Sequence, residues 1–170
     1  WHPAFKAVAP ARQALAAQGE RTMFNVIGPL LNPLQPPCQL AGVFEGGLVP
    51  VYAQIMLELG RSSAWAVHGD AGNGRGMDEL STLGPTQVAK VALGAVSADV
   101  LATHALFPPP ASLNQLAGGT AARNAEILES LLRGEVRGPK RDLVLLNAGA
   151  ALVVAGVALD LPDGIARATE

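Results

Sequence analysis

"QLAGVFEGGLVPVYAQIMLELGRSSAWAVHG" runs from Gln39 to Gly69, and its rhythm decides the fold. Gln39–Phe44 is a short apolar run closed by a polar, glycine-containing break, which reads as a buried strand. Pro50–Gly60 reads as a helix: proline opens it, Val51, Ile55 and Leu59 fall on one face, and glycine follows its last turn. Ser63–Gly69 is a second strand. Strand, helix and strand in this order predict parallel pairing with a right-handed crossover.

Further along, "TQVAKVAL" and "AVSADVL" flank Gly94 and predict an antiparallel excursion. "FPPPAS" (107–112) predicts a stiff connector. Thr120–Gly134 predicts a helix, with threonine at the cap, Ile127, Leu128, Leu131 and Leu132 as its apolar positions, and glycine as the stop. "GPKRDLVLLNAGAALVVAG" (138–156) predicts another, apolar nearly all round. Ahead of the βαβ unit, residues 3–33 read as short helices with sharp joints. Pro10 ends or kinks one, a second covers about Val8–Ala17, and Gly28-Pro29 stops a third, "TMFNVI". The expected class is α/β: a mostly parallel sheet flanked by helices, with a short all-helical segment at the N-terminus. The expected domains are 1–34, a remnant of a small helical domain, and 38–170, an α/β catalytic domain.

Composition fits a packed globular chain. Of 170 residues, 49% are apolar and 15% charged, a balance that disordered chains lack. The net charge of −2 comes with scattered basic residues, which argues against a nucleic-acid partner. A single cysteine, Cys38, excludes an intramolecular disulfide and fits a reducing compartment. It reads as a small core hydrophobe rather than a nucleophile. The oily stretch Leu143–Leu159 is shorter than the roughly 20 residues of a membrane span and carries Asn147, so it reads as a buried helix. A cytoplasmic protein without a membrane partner is expected. The start at Trp1, with no signal-peptide pattern, suggests a piece of a longer protein.

In parallel sheets, ligands bind beyond the carboxyl ends of strands. After Ser63–Gly69 comes "DAGNGRGMDEL", a glycine-rich loop ending in Asp78 and Glu79. Adjacent carboxylates suit Mg²⁺ shared with substrate phosphates, or are simply solvated surface. In a straight strand they would point to opposite faces, so a joint role requires a turn. His68 is either a ligand or a hydrogen-bonded structural residue. Arg12 sits in the largely apolar "VAPARQAL", where its guanidinium either snorkels or forks onto an anion. No histidine has a convincing nucleophile beside it, and no catalytic acid, base or nucleophile is assigned.

Taken together, "HPAFKAVAPARQAL" (2–15), "RTMFNVIGPLLNP" (21–33), "QLAGVF" (39–44), "VHG" (67–69) with "MDELS" (77–81), and "NAGAAL" (147–152) resemble the anthranilate phosphoribosyltransferase family. The likeness covers nearly the whole chain in order, and its first two motifs are highly specific. The resemblance implies transfer of a phosphoribosyl group from phosphoribosyl pyrophosphate to anthranilate, in tryptophan biosynthesis, with Mg²⁺ and usually as a homodimer. It places His2, Phe5, Arg12, Gly28 and Pro29 at the anthranilate site, with Arg12 on the carboxylate, and Asp78 and Glu79 at the metal. The family's glycine-rich pyrophosphate loop belongs upstream, so this piece is expected to be inactive alone.

Two segments depart from the family pattern. The stretch from Gly69 to Asp78 is longer by about four residues, which offers Arg75 as an added phosphate contact or a surface arginine. "ALAAQGERT" is longer by about two. The alternatives are a related paralogue that binds nucleic acid without transferase activity, and a pyrimidine-nucleoside phosphorylase, against which "GPLLNP" argues.

Overall fold

The computed structural model describes residues 3–20, 22–107 and 111–170, with side chains from Phe5 onward. His2, Arg21 and the Pro108–Pro110 connector lie outside the described residues. The chain divides into two compact units, one up to Gln35 and one from Pro36 onward.

The first unit holds helices α1 (Pro3–Ala7) and α2 (Ala9–Ala17), then single 3-10 turns at Met23–Asn25 and Gly28–Leu30. Pro10 sits in the first turn of α2, where a missing N–H costs nothing, so it opens a helix as well as ending one. "TMFNVI" yields only the Met23–Asn25 turn, with Asn25 Oδ1 accepting the Thr22 N–H at 2.8 Å. Gly28-Pro29 then starts the next 3-10 turn instead of only stopping a helix.

The second unit begins with strand β1 (Cys38–Gly42), helix α3 (Val49–Glu58) and strand β2 (Ser63–Gly72). β1 and β2 pair in parallel, as the pattern predicts. Strand β3 (Arg75–Met77) turns back on β2, and β4 (Thr86–Ala92) and β5 (Ala95–Leu101) form the antiparallel hairpin around Gly94. Helices α4 (Leu113–Leu116), α5 (Ala121–Leu132), α6 (Pro139–Val154) and α7 (Leu161–Arg167) complete it. The α/β class with flanking helices holds. The sheet, however, is mixed rather than mostly parallel: among the described residues β1–β2 is parallel and the other pairings are antiparallel. Short connections account for two of these, since the two-residue turns at Asn73-Gly74 and Leu93-Gly94 return β3 on β2 and β5 on β4 only antiparallel.

The core lies where α6 covers the sheet. Trp65, Val67 and Val88 on one sheet face meet Leu80 and the α6 residues Leu146, Ala150 and Val154. By strand alternation Ala64 and Ala66 face the other way. α3 packs against β2, β4 and β5. Its buried positions are Val49, Tyr52, Ala53 and Met56, whereas Val51 and Leu59 are exposed. The expected Val51–Ile55–Leu59 face is therefore largely the outward one: Val51 and Leu59 share it with the exposed Gln54 and Glu58, hydrogen-bonded at 3.1 Å, so the polar pair rather than the apolar spacing marks the side turned from the sheet. α5 buries no residue, and Leu128 and Leu132 stand exposed. α6 and α7 cross almost backbone to backbone at Gly149 and Gly164.

Candidate active site

The stretch before the acidic pair is a hairpin, not the open loop its glycines suggest. Asn73 and Gly74 at its tip have φ of 56° and 71°, the two positive values a type I′ turn requires. β3 then runs back beside β2 and delivers Asp78 and Glu79 into a bend. That bend crosses two glycines. A Cβ on Gly42, the last residue of β1, would stand 1.6 Å from the Asp78 carbonyl oxygen. A Cβ on Gly69 of β2 would stand 2.6 Å from the Glu79 carbonyl oxygen. The acidic pair thus lies against the carboxyl end of β1, where open α/β sheets bind ligands.

The segment just after the pair is locked in place. Leu80 is fully buried, and its peptide is gripped at both ends by the Asn147 side chain of α6. The Leu80 N–H donates to Asn147 Oδ1 at 2.9 Å, and Asn147 Nδ2 donates to the Leu80 carbonyl at 3.1 Å. Nδ2 also lies 3.3 Å from Glu79 Oε2. Next, Ser81 donates its hydroxyl to the Asp70 carbonyl at 2.6 Å, and its N–H donates to Thr86 Oγ1 at 3.0 Å. Thr103 Oγ1 donates to the Ser81 carbonyl at 2.6 Å. Ser81, Thr86 and Thr103 are all buried, so each needs these partners.

Asp78 is exposed and Glu79 half-buried. Burial holds the Glu79 carboxyl above its ordinary range, and the Asp78 charge pushes it the same way. Among the described residues neither acid forms an ion pair. Two hard oxygen donors with repelling, unneutralised charge fit Mg²⁺, which takes one or two carboxylates and fills its shell with water and phosphate oxygens. Among the described residues no group of three His, Cys, Asp or Glu is placed to cage a metal without such help.

His68 is positioned by the sheet. Its Nδ1–H donates to the Val43 carbonyl at 2.8 Å, and its ring covers Gly76, where a Cβ would come within 2.2 Å. This is the hydrogen-bonded structural role. The exposed Arg75 borders a cleft of about 360 Å³ with His68, Asp70 and Gln87.

In the first unit, Arg12 neither buries itself nor hangs free. Its guanidinium lies 5.4 Å from the Phe24 ring centroid, and Phe24 meets Phe5 edge to face at 5.9 Å and 79°. Phe24 therefore brings together Phe5 and Arg12. Arg12 also borders an open cleft of about 310 Å³ with Gln13, Glu20, Thr22 and Asn25. Gly28 and Pro29 are exposed in their own 3-10 turn, and His2 is outside the described residues. Arg12 and the acidic pair fall in different units.

Sequence reasoning missed Asn147, Phe24, Gly42 and Gly69 as shapers of these sites. Asn147 had a readable signal: an amide inside the oiliest helix must find partners. The glycines had none, because the strand that crosses them is remote in sequence.

The glycosyl transferase family α/β-domain model matches residues 1–170. The anthranilate phosphoribosyltransferase of Anaeromyxobacter dehalogenans is 46% identical over 167 residues, 98% of this chain and 47% of that protein. That of Desulfatibacillum aliphaticivorans is 43% identical, covering 100% and 48%. Among solved structures, anthranilate phosphoribosyltransferase from Thermus thermophilus superposes with a TM-score of 0.85 at 37% identity, covering 99% of this chain and 47% of that one. The Saccharomyces cerevisiae enzyme in complex with PRPP and Mg gives 0.81 at 26%, covering 96% and 46%. The chain thus spans about half the length of the curated relatives it matches. With every residue matched by the family model and the mixed, helix-flanked sheet shared with these structures, the chain belongs to the glycosyl transferase family as an α/β-domain member.

Proposed function

We propose that this chain forms part of an anthranilate phosphoribosyltransferase, which transfers the phosphoribosyl group of phosphoribosyl pyrophosphate to anthranilate in tryptophan biosynthesis. The reading rests on a chain 46% identical to such an enzyme over 98% of its length, and the bend that seats the Asp78 and Glu79 backbone against the end of β1 supports it. The anthranilate nitrogen bonds to the ribose anomeric carbon, the bond from that carbon to pyrophosphate breaks, and the nitrogen gives up a proton. An arylamine is a neutral nucleophile and pyrophosphate a stable leaving group, so orientation and charge neutralisation dominate over acid–base chemistry.

In this reading Asp78 and Glu79 hold Mg²⁺, which when bound neutralises the pyrophosphate charge. Arg12 forks onto the anthranilate carboxylate, with His2, Phe5, Gly28 and Pro29 around the ring. Residues 1–34 then belong to the helical domain and 38–170 to the catalytic one. A cytoplasmic homodimer with no nucleic-acid or membrane partner completes the proposal. Among the described residues no helix is long and apolar enough to cross a membrane. The nucleic-acid-binding paralogue finds no support among these relatives.

The test is Arg12→Ala in the complete enzyme. Losing a charge-assisted carboxylate contact of about 1.5–3 kcal/mol raises the anthranilate KM roughly 10- to 100-fold and leaves the phosphoribosyl pyrophosphate KM nearly unchanged. An unchanged anthranilate KM removes Arg12 from the site. No transferase activity in the unmodified complete enzyme removes the function.

A further inference from the structure

We propose that Asn147 of α6 is a positioning residue for the acidic pair, holding Glu79 and the peptide that comes after it in the arrangement that receives a divalent cation. The inference rests on the reading of Asp78 and Glu79 as metal ligands. An asparagine amide offers two N–H donors and one oxygen. Here Oδ1 accepts from the Leu80 N–H at 2.9 Å, while Nδ2 has the Leu80 carbonyl at 3.1 Å, the Leu143 carbonyl at 3.0 Å and Glu79 Oε2 at 3.3 Å. The grip on Leu80 has two points, like a strand ladder, so it fixes the peptide's rotation as well as its place. Leu80 is fully buried beside Leu146, which keeps that peptide from swivelling out.

Adjacent carboxylates on an extended chain diverge, so a joint role for them depends on what fixes the bend. The hairpin cannot fix it alone, because β3 ends at Met77. Among the described residues, Asn147 is the side chain that hydrogen-bonds to Glu79. The pair is therefore referenced to α6, the helix that also builds the core. Groups that orient metal ligands commonly change affinity by about 10- to 100-fold when removed.

The experiment titrates Mn²⁺, first alone and then with inorganic pyrophosphate supplying the phosphate oxygens, into the 170-residue chain and reads free ion by electron paramagnetic resonance. Asn147→Ala is expected to weaken Mn²⁺ binding about tenfold or more. Val154→Ala, which removes a core methyl pair from the same helix, is expected to lower the melting temperature and leave Mn²⁺ affinity unchanged. Equal affinity in the unmodified chain and Asn147→Ala would overturn the positioning role while leaving the metal reading standing. No Mn²⁺ uptake by the unmodified chain, alone or beyond what pyrophosphate itself holds, would overturn both. Should Asn147→Ala not fold, Mg²⁺ titration of the unmodified chain by NMR decides: the Asn147 side-chain amide and the Leu80 N–H must shift with the same midpoint. Binding that leaves both signals still would sink the proposal.

Discussion

Gly42→Ala is the sharpest perturbation of this structure. Gly42 has no positive φ, so alanine suits its backbone, and any effect is steric. The new Cβ would sit 1.6 Å from the Asp78 carbonyl oxygen and 2.4 Å from its carbon. Reaching an ordinary contact requires the bend to retreat by roughly 1.5 Å, since repulsion climbs steeply inside van der Waals distance. The obstacle is backbone, and the segment behind it is tied down at Leu80 and Ser81. Overpacking costs about 1–3 kcal/mol. Breaking the two Asn147–Leu80 hydrogen bonds adds about 1 kcal/mol each.

The expected loss is therefore roughly 3–5 kcal/mol, a large share of the stability of a typical domain. Urea unfolding followed by far-ultraviolet circular dichroism measures it, with an unchanged slope showing that the unfolding transition itself is unaltered. Gly47→Ala is the control. Its Cβ would meet nothing closer than 3.9 Å, so its stability should stay close to that of the parent chain. A Gly42→Ala chain as stable as Gly47→Ala would refute the account of how the acidic pair is seated.

Three other outcomes are expected. Phe24→Ala removes the edge-to-face contact with Phe5, about 0.5–1.5 kcal/mol, and the Arg12 contact, about 0.5–1 kcal/mol at an exposed site. A double-mutant cycle of Phe24→Ala with Arg12→Ala on thermal unfolding should return the Arg12 share as a coupling energy, and zero coupling would break that link. Gly149→Ala puts a Cβ 2.7 Å from the Ile165 nitrogen, and should destabilise by about 1–3 kcal/mol and loosen α7, as seen by faster hydrogen exchange there. Asp163 is held below the usual carboxylate range by the Leu159 N–H and by Arg167, so the folded state keeps it ionised more readily than the unfolded chain does. Its stabilising contribution is present above the unfolded value and lost as pH falls through the folded one. The melting temperatures of the parent chain and Asp163→Asn should therefore differ at neutral pH and converge in acid.

Legibility varied with how local the cause was. β1, α3 and β2 were readable because each spans one run with its own punctuation. The β4–β5 hairpin was readable from Gly94, which sits with Leu93 at positive φ in the turn. The Asn73-Gly74 turn carried an equally plain dipeptide, yet the glycines around it suggested an open loop, and β3 went unseen. α3 shows a different limit: Val51 and Leu59 are as apolar as Tyr52 and Met56, and the local cue to the outward face was the polar pair Gln54 and Glu58 beside them.

By itself, the sequence settled β1, α3, β2, the β4–β5 hairpin, α5 and α6, the parallel pairing of the first two strands, and the family likeness, because proline, glycine and apolar spacing act within a few residues. The tertiary structure alone decided that the Asp78–Glu79 bend passes over Gly42 and Gly69 and is clamped by an amide 67 residues away. Steric closeness and hydrogen bonding act through space, and no pattern along the chain records which distant backbone will arrive there.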